Sequence, residues 1–163
     1  MAPRRTTRVF GIVLVAIVLS GCRTGPAPQT GESEVSEELK AMADEDQRMR
    51  ASETTDPQIE YEADLRHRNR VLELLAEGRV RSPENRFRAA LILQHTPAVL
   101  CDGRLGSQSL ENYLLAHFLA KSAAEAGYRP ARRMTAMTLD RYLAFSGRPQ
   151  KYGTHSTFNE AAG

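Results

Sequence analysis

LAKSAAEAGYRPARRMTAMTLDRYLAFSG, residues 119–147, contains two helical runs that each close on a glycine. The first is rich in alanine and ends at Gly127; the second opens at Pro130 and stops at Gly147. Alanine has the highest intrinsic helix propensity. Proline suits a first turn, where its missing N–H is not needed. Glycine suits the left-handed position just past a helix end. The first run extends back to Ser109, so the spacing predicts one helix over 109–126 and another over 130–146. In the first, Leu110, Leu114, His117 and Lys121 lie near one line, with Leu115, Phe118 and Leu119 on another. In the second, Met134, Thr138, Tyr142 and Phe145 make one stripe, and Ala136, Asp140 and Leu143 make the next. Small side chains at Ala120, Ala123, Ala124 and Ala131 let the two helices approach closely. The unit reads as an αα-hairpin.

Upstream, Ser82-Pro83-Glu84 starts another helix, with proline in its first turn. Phe87, Leu91 and Gln94-His95 follow at helical spacing, and Ala90, Ile92 and Leu93 widen the apolar arc enough for a central helix. Pro97 ends it, because its ring disfavours α geometry at Thr96. Residues 96–107 read as a loop with two glycines. Before that, Thr55 and Gln58 have the spacing of a capping box. Tyr61, Leu65, Leu72 and Leu75 predict the buried stripe of the helix that follows, with Val71 and Leu74 beside it, and the helix stops at Gly78. The face bearing Arg66, Arg68 and Arg70 reads as solvated surface. An earlier helix begins at Ser33 or Ser36, with Val35, Leu39, Met42 and Met49 on one face. Asp46 occupies the gap in that face. A carboxylate there needs a partner if it is buried, and needs none if the helix end frays into water.

After Gly147, Pro149 and Gly153 break any helix, and Gln150 and Tyr152 are placed to fold back on the bundle. The expected fold is therefore all-α. It is a small bundle of about five helices, with a C-terminal extended segment packed back on it. The helical domain covers residues 33–155, and the tail 156–163 reads as disordered.

The N-terminus has a different character. Arg4, Arg5 and Arg8 precede an apolar run, Val9 to Leu19, which is followed by Ser20, Gly21 and Cys22. As a helix the run rises roughly 16 Å, about half the ~30 Å of a hydrocarbon core, so it is too short for a permanent span. Basic residues, an apolar run and small residues make the layout of a secretory signal peptide over 1–21. Cys22 and a flexible spacer make up residues 22–32; the ten residues 23–32, rich in Gly, Pro and Thr, reach at most about 35 Å. Leu19-Ser20-Gly21-Cys22 resembles the lipobox of bacterial lipoproteins. The resemblance implies diacylglycerol on the Cys22 thiol, cleavage before Cys22 and a membrane-held mature chain. Several acyl chains at ~0.8 kcal/mol per buried methylene hold durably, where a single one does not. The alternative is an ordinary cleaved signal peptide with an incidental cysteine. Arg23, in place of aspartate, favours the outer membrane in a diderm host of the enterobacterial type.

The precursor carries a formal charge of +2. Three arginines and no acid leave with residues 1–21, so the mature chain has 19 basic and 20 acidic residues, a net −1. Net charge gives no case for nucleic acid. Arginine outnumbers lysine nineteen to three, a bias that a GC-rich genome explains. If Cys22 is acylated, Cys101 has no partner within the chain, and no His or Asn arrangement marks it as a nucleophile.

The hairpin over 119–147 is similar to part of a Sel1-type helical repeat. No second copy occurs, so a solenoid is not expected. Gln94-His95, Asp140-Arg141 and Gln150-Lys151-Tyr152-Gly153-Thr154 resemble a family of bacterial helical domains of unknown function. An early Asp46-Gln47 pair matches it too. His155 stands where that family carries glutamine, and a cysteine-containing loop follows His95. The resemblance brings no activity with it.

Read from the residues, Asp46, Gln94, His95, Asp140, Arg141, Gln150 and Tyr152 are the polar groups that could meet in one cleft. A histidine with a carboxylate is the minimum for general acid–base work, and an arginine can grip a carboxylate or phosphate. The same residues also fit a structural network that pins the C-terminal segment, with Asp140 on Arg141 and Gln150 capping open backbone groups. His95, His117 and His155 lack any short metal-ligand spacing, and no cofactor is implied. Two expectations follow. One is a non-enzymatic envelope lipoprotein, held to the membrane by its N-terminal lipid, whose helical domain binds or scaffolds an envelope protein. The other is a small hydrolase-like envelope enzyme using His95 with Asp46 or Asp140.

Overall fold

The computed structural model describes residues 29–101 and 104–155. The expected signal peptide over 1–21, Cys22 and the tail after His155 lie outside them. Five helices and one small hairpin follow in order: α1 (Gln29–Ala51), α2 (Pro57–Ala76), α3 (Pro83–Leu93), β1 (Ala98–Cys101), β2 (Arg104–Ser107), α4 (Leu110–Glu125) and α5 (Ala131–Phe145). The fold is the expected small helical bundle.

The α4–α5 hairpin closes as its alanines require. Ala116, Ala120, Ala123 and Ala131 are all fully buried, so no side chain longer than a methyl separates the backbones there. Gly127 and Gly147 adopt φ of 92° and 70°, which a side chain would disfavour. Each lets the next N–H turn back: Tyr128 donates to Ala123 O at 3.0 Å, and Arg148 to Leu143 O at 2.8 Å. These six-to-one bonds satisfy carbonyls that a helix end leaves open.

α3 is the central helix and touches the other four. Ala89, Ala90 and Leu93 are fully buried on it, against Val35 and Leu39 of α1 and Val71 and Leu74 of α2. Its start follows the sequence: Ser82 accepts from the Asn85 N–H at 3.2 Å, with Pro83 in the first turn.

Four local expectations are corrected. α1 begins at Gln29 rather than Ser33 or Ser36, so residues 29–32 of the expected spacer belong to it. Glu32 in the first turn complements the positive helix end. The cap of α2 is Asp56, whose Oδ1 accepts from the Gln58 N–H at 2.8 Å. Thr55 instead donates to Met49 O at 3.0 Å and closes the end of α1. On α2 the deepest positions are Ala63, Asp64, His67, Val71 and Leu74, while Leu72 and Leu75 are only partly buried. The inward face is rotated because Asp64 and His67 find partners inside, in Arg50 and Glu45. Finally, the 96–107 loop contains an antiparallel pair, with Ala98 opposite Ser107 and Cys101 opposite Arg104.

Candidate functional site

Asp46 falls on the buried face of α1, seven residues after Leu39, and is 1 % exposed. It finds partners there. His95 Nδ1 lies 2.8 Å from Oδ1 and 2.9 Å from Oδ2. Gln47 donates to Oδ2 at 2.7 Å, and Arg50, one turn on, comes within 3.3 Å. His95 follows the last turn of α3, where its N–H donates to Ile92 O at 3.0 Å. The adjoining backbone is locked: Thr96 Oγ1 donates to Leu93 O at 2.8 Å, and the Tyr113 hydroxyl donates to Thr96 O at 3.0 Å.

Arg50 is the charge centre of one cluster. Its Nη2 bridges both oxygens of Asp64, at 2.7 and 2.9 Å, and its Nη1 binds Glu60. Three carboxylates thus share one guanidinium. Burial pushes the Asp64 carboxyl up, and although Arg50 pulls it down, Asp46 and Glu60 add to the upward push. At Asp46 burial also pushes up, but the His95 hydrogen bond and the nearby Arg50 charge outweigh it and hold the group below its ordinary value. Burial lowers the His95 pKa more than the Asp46 carboxylate raises it, so the imidazole is neutral near pH 7. With Asp46 ionised, Nδ1–H is the donor. Nε2 makes no hydrogen bond among the described residues.

Arg141, on α5, lies near this cluster. It donates through Nη1 to Gln94 O, and its Nε is buried with no partner. It forms no ion pair among the described residues. Burial lowers its pKa. A cleft of about 410 Å³ is lined by Arg50, Glu60 and Asp64 together with Arg141 and Phe145. His95 also borders a second cavity of about 400 Å³, walled by Phe87, Leu91 and Met134. Gln94, only 2 % exposed, lines that one, and its Oε1 has no partner.

Of the residues expected to meet, the structure brings Asp46, Gln94, His95 and Arg141 together. Asp140, Gln150 and Tyr152 lie in a separate cluster. Asp140 neither pairs with Arg141 nor reaches His95, because adjacent helical positions point about 100° apart. Its carboxylate is fully buried and accepts from Lys151 N at 2.7 Å, Tyr152 N at 2.9 Å, and Thr154 N and Oγ1, each at 2.9 Å. Burial pushes this carboxyl up, but the hydrogen bonds prevail and lower it. Gln150 closes the turn by donating to His155 O at 2.6 Å and accepting from His155 N at 2.9 Å. Tyr152 contributes its N–H to this carboxylate, and the residue as a whole is 54 % exposed. The segment so pinned delivers His155 to the cleft, where Nε2 lies 2.9 Å from Met137 O.

Arg50, Glu60, Asp64 and Tyr113 were not anticipated at the cleft. Asp46 and Arg50 at i and i+4 gave one signal, since that spacing puts acid and base on one helix face. Glu60, Asp64 and Tyr113 gave none. Among the described residues no group of three or more His, Cys, Asp or Glu is placed to hold a metal ion, and no helix is long and apolar enough to cross a membrane.

Comparisons with protein-family models, with curated proteins and with solved structures find no match to this chain.

Proposed function

We propose that this chain is a lipid-anchored lipoprotein of the bacterial cell envelope, and that its helical domain is a binding module whose ligand sits between Arg50, His95 and Arg141. The tether is read from the basic residues, the short apolar run and the Leu19–Cys22 lipobox. It would hold the domain on the export side of the inner membrane, or on the periplasmic face of the outer membrane in a diderm host. The observation that carries the binding reading is Arg141. A guanidinium offers five donors, and this one, set in a cleft, has an acid on none of them. A buried cation left unpaired is costly, and a ligand that pairs with it removes that cost. The test is native mass spectrometry of the full chain extracted gently from envelopes. The wild type retains a small bound mass and the Arg141→Gln chain does not. Identical ligand-free spectra from both would contradict the reading.

A second reading, a hydrolase-like enzyme, is favoured by the 2.8 Å contact between Asp46 and His95. Asp46 fixes Nδ1–H and leaves Nε2 as a base, the arrangement general-base chemistry needs. Among the described residues lining the cleft no side-chain nucleophile accompanies it, since the Thr96 and Tyr113 hydroxyls already donate elsewhere. Such an enzyme would have to activate water. Asp140 has no part in it, because both its oxygens hold the C-terminal segment. Turnover of a retained ligand that is lost in His95→Gln separates this reading from simple binding.

A further inference from the structure

We infer that the cleft recognises a small zwitterion, an amino acid or short peptide whose ammonium group meets Glu60 and Asp64 and whose carboxylate meets Arg141. This rests on the reading of the cleft as a ligand site and adds the chemistry of what fills it. Around Arg50 the carboxylates outnumber the guanidinium: Asp46, Glu60 and Asp64 all pair with it, and Glu60 and Asp64 line the cleft. Glu60 Oε2 is left without a bond among the described residues. Glu60 and Asp64 also face an adjoining recess of about 220 Å³, so the acidic lining continues beyond the cleft. The same cleft carries Arg141, whose buried Nε is unpaired and which has no acid on it among the described residues.

These acids and this arginine select by charge. A simple anion drawn to Arg141 meets Glu60 and Asp64 nearby, and a simple cation drawn to the acids meets Arg141. A neutral ligand displaces water from both and leaves charges without partners, which is costly in a desolvated site. An ammonium on the acids and a carboxylate in the Arg141 fork satisfy both together. The size agrees: about 410 Å³ lies at the lower end of the range for small-molecule sites. Phe145 and Tyr113, with ring centroids 5.1 Å apart, give an apolar side for a short side chain.

The test is calorimetric titration of the full chain in detergent with five probes: alanine, alanyl-alanine, N-acetyl-alanyl-alanine, alanyl-alanine amide and inorganic phosphate. At least one of the two zwitterions binds, and capping either end weakens it about tenfold or more, as loss of a charge-assisted bond should. In Arg141→Gln the amide and the free acid bind alike, and in Arg141→Lys part of the preference returns. The capped probes leave the protein unaltered, so a folding defect in either variant does not blunt the result. Equal binding of capped and uncapped probes, or binding of phosphate alone, overturns the zwitterion and leaves the cleft a ligand site. Heat from none of the probes overturns it as well, while a retained mass in the native spectrum would still uphold the broader reading.

Discussion

His95 Nδ1 lies 2.8 Å from Asp46 Oδ1, although the two residues are 49 apart in the chain. The contact ties the middle of α1 to the end of α3, and Arg50 extends it to α2 through Asp64. Asp46→Ala leaves the Arg50 and His95 donors short of a partner in a buried site and should cost about 3 kcal/mol. Asp46→Asn keeps an oxygen for the His95 N–H and should cost only about 1 kcal/mol. Urea unfolding of both variants measures the difference; equal costs would mean the hydrogen bond contributes nothing beyond charge.

Stability should also follow His95 with pH. Its folded pKa lies below the ordinary 6.5, so between those values the unfolded chain binds the proton and the folded chain does not. Folding stability is therefore complete above pH 6.5 and falls as pH drops through that window. Asp46, also depressed, adds a second loss as pH falls below 3.8. His95→Gln should flatten the upper loss and also weaken the lower one, because the His95 hydrogen bond helps hold the Asp46 carboxyl down; denaturation midpoints across pH read both.

Asp140 predicts a local effect. Asp140→Asn replaces a carboxylate that accepts from three backbone N–H groups and a hydroxyl. Asparagine offers one acceptor oxygen, and its amide donors face other donors. The variant should lose about 2 kcal/mol. Amide exchange at Lys151, Tyr152 and Thr154 should speed up well before the helices open. Unchanged exchange there would show that the segment is held by something other than this carboxylate.

Arg50 predicts non-additivity. Arg50→Met alone leaves Asp46, Asp64 and Glu60 facing one another without their cation and should cost about 3 kcal/mol or more. Adding Asp64→Leu removes one stranded acid from a mostly buried position and should restore part of that loss. A double variant less stable than the sum of the two single changes would contradict the geometry of this cluster.

The helices were legible because their punctuation is local. Gly127, Gly147, Ser82 and Pro83 act within one turn, and the structure uses each as the sequence suggested. The β1–β2 pair was missed although Asp102-Gly103 between Val99-Leu100 and Leu105 is a short-hairpin signal; reading the glycines only as breakers hid it. The rotation of α2 was legible only in part. Apolar periodicity puts Val71 and Leu74 beside Leu72 and Leu75, and the preference for Asp64 and His67 inside comes from Arg50 and Glu45, on another helix. The site was legible in part for the same reason. Asp46 stood out as an acid on an apolar face, and His95 as a polar end to a buried helix. Which acid His95 would meet depends on tertiary packing, and the pattern at Asp140 was equally suggestive. Asp140 and Arg141 are neighbours in sequence yet serve two different clusters, a separation that only helix geometry reveals.

Where this cleft works turns on Cys22, and the most direct measurement is mass spectrometry of the mature N-terminal peptide from envelopes, beside a Cys22→Ser chain. Lipid anchoring predicts a peptide that begins at Cys22 and carries diacylglycerol, with the serine chain unprocessed and unacylated. A mature chain that begins at another residue, or at a Cys22 without lipid, and is released by simple washing would contradict it.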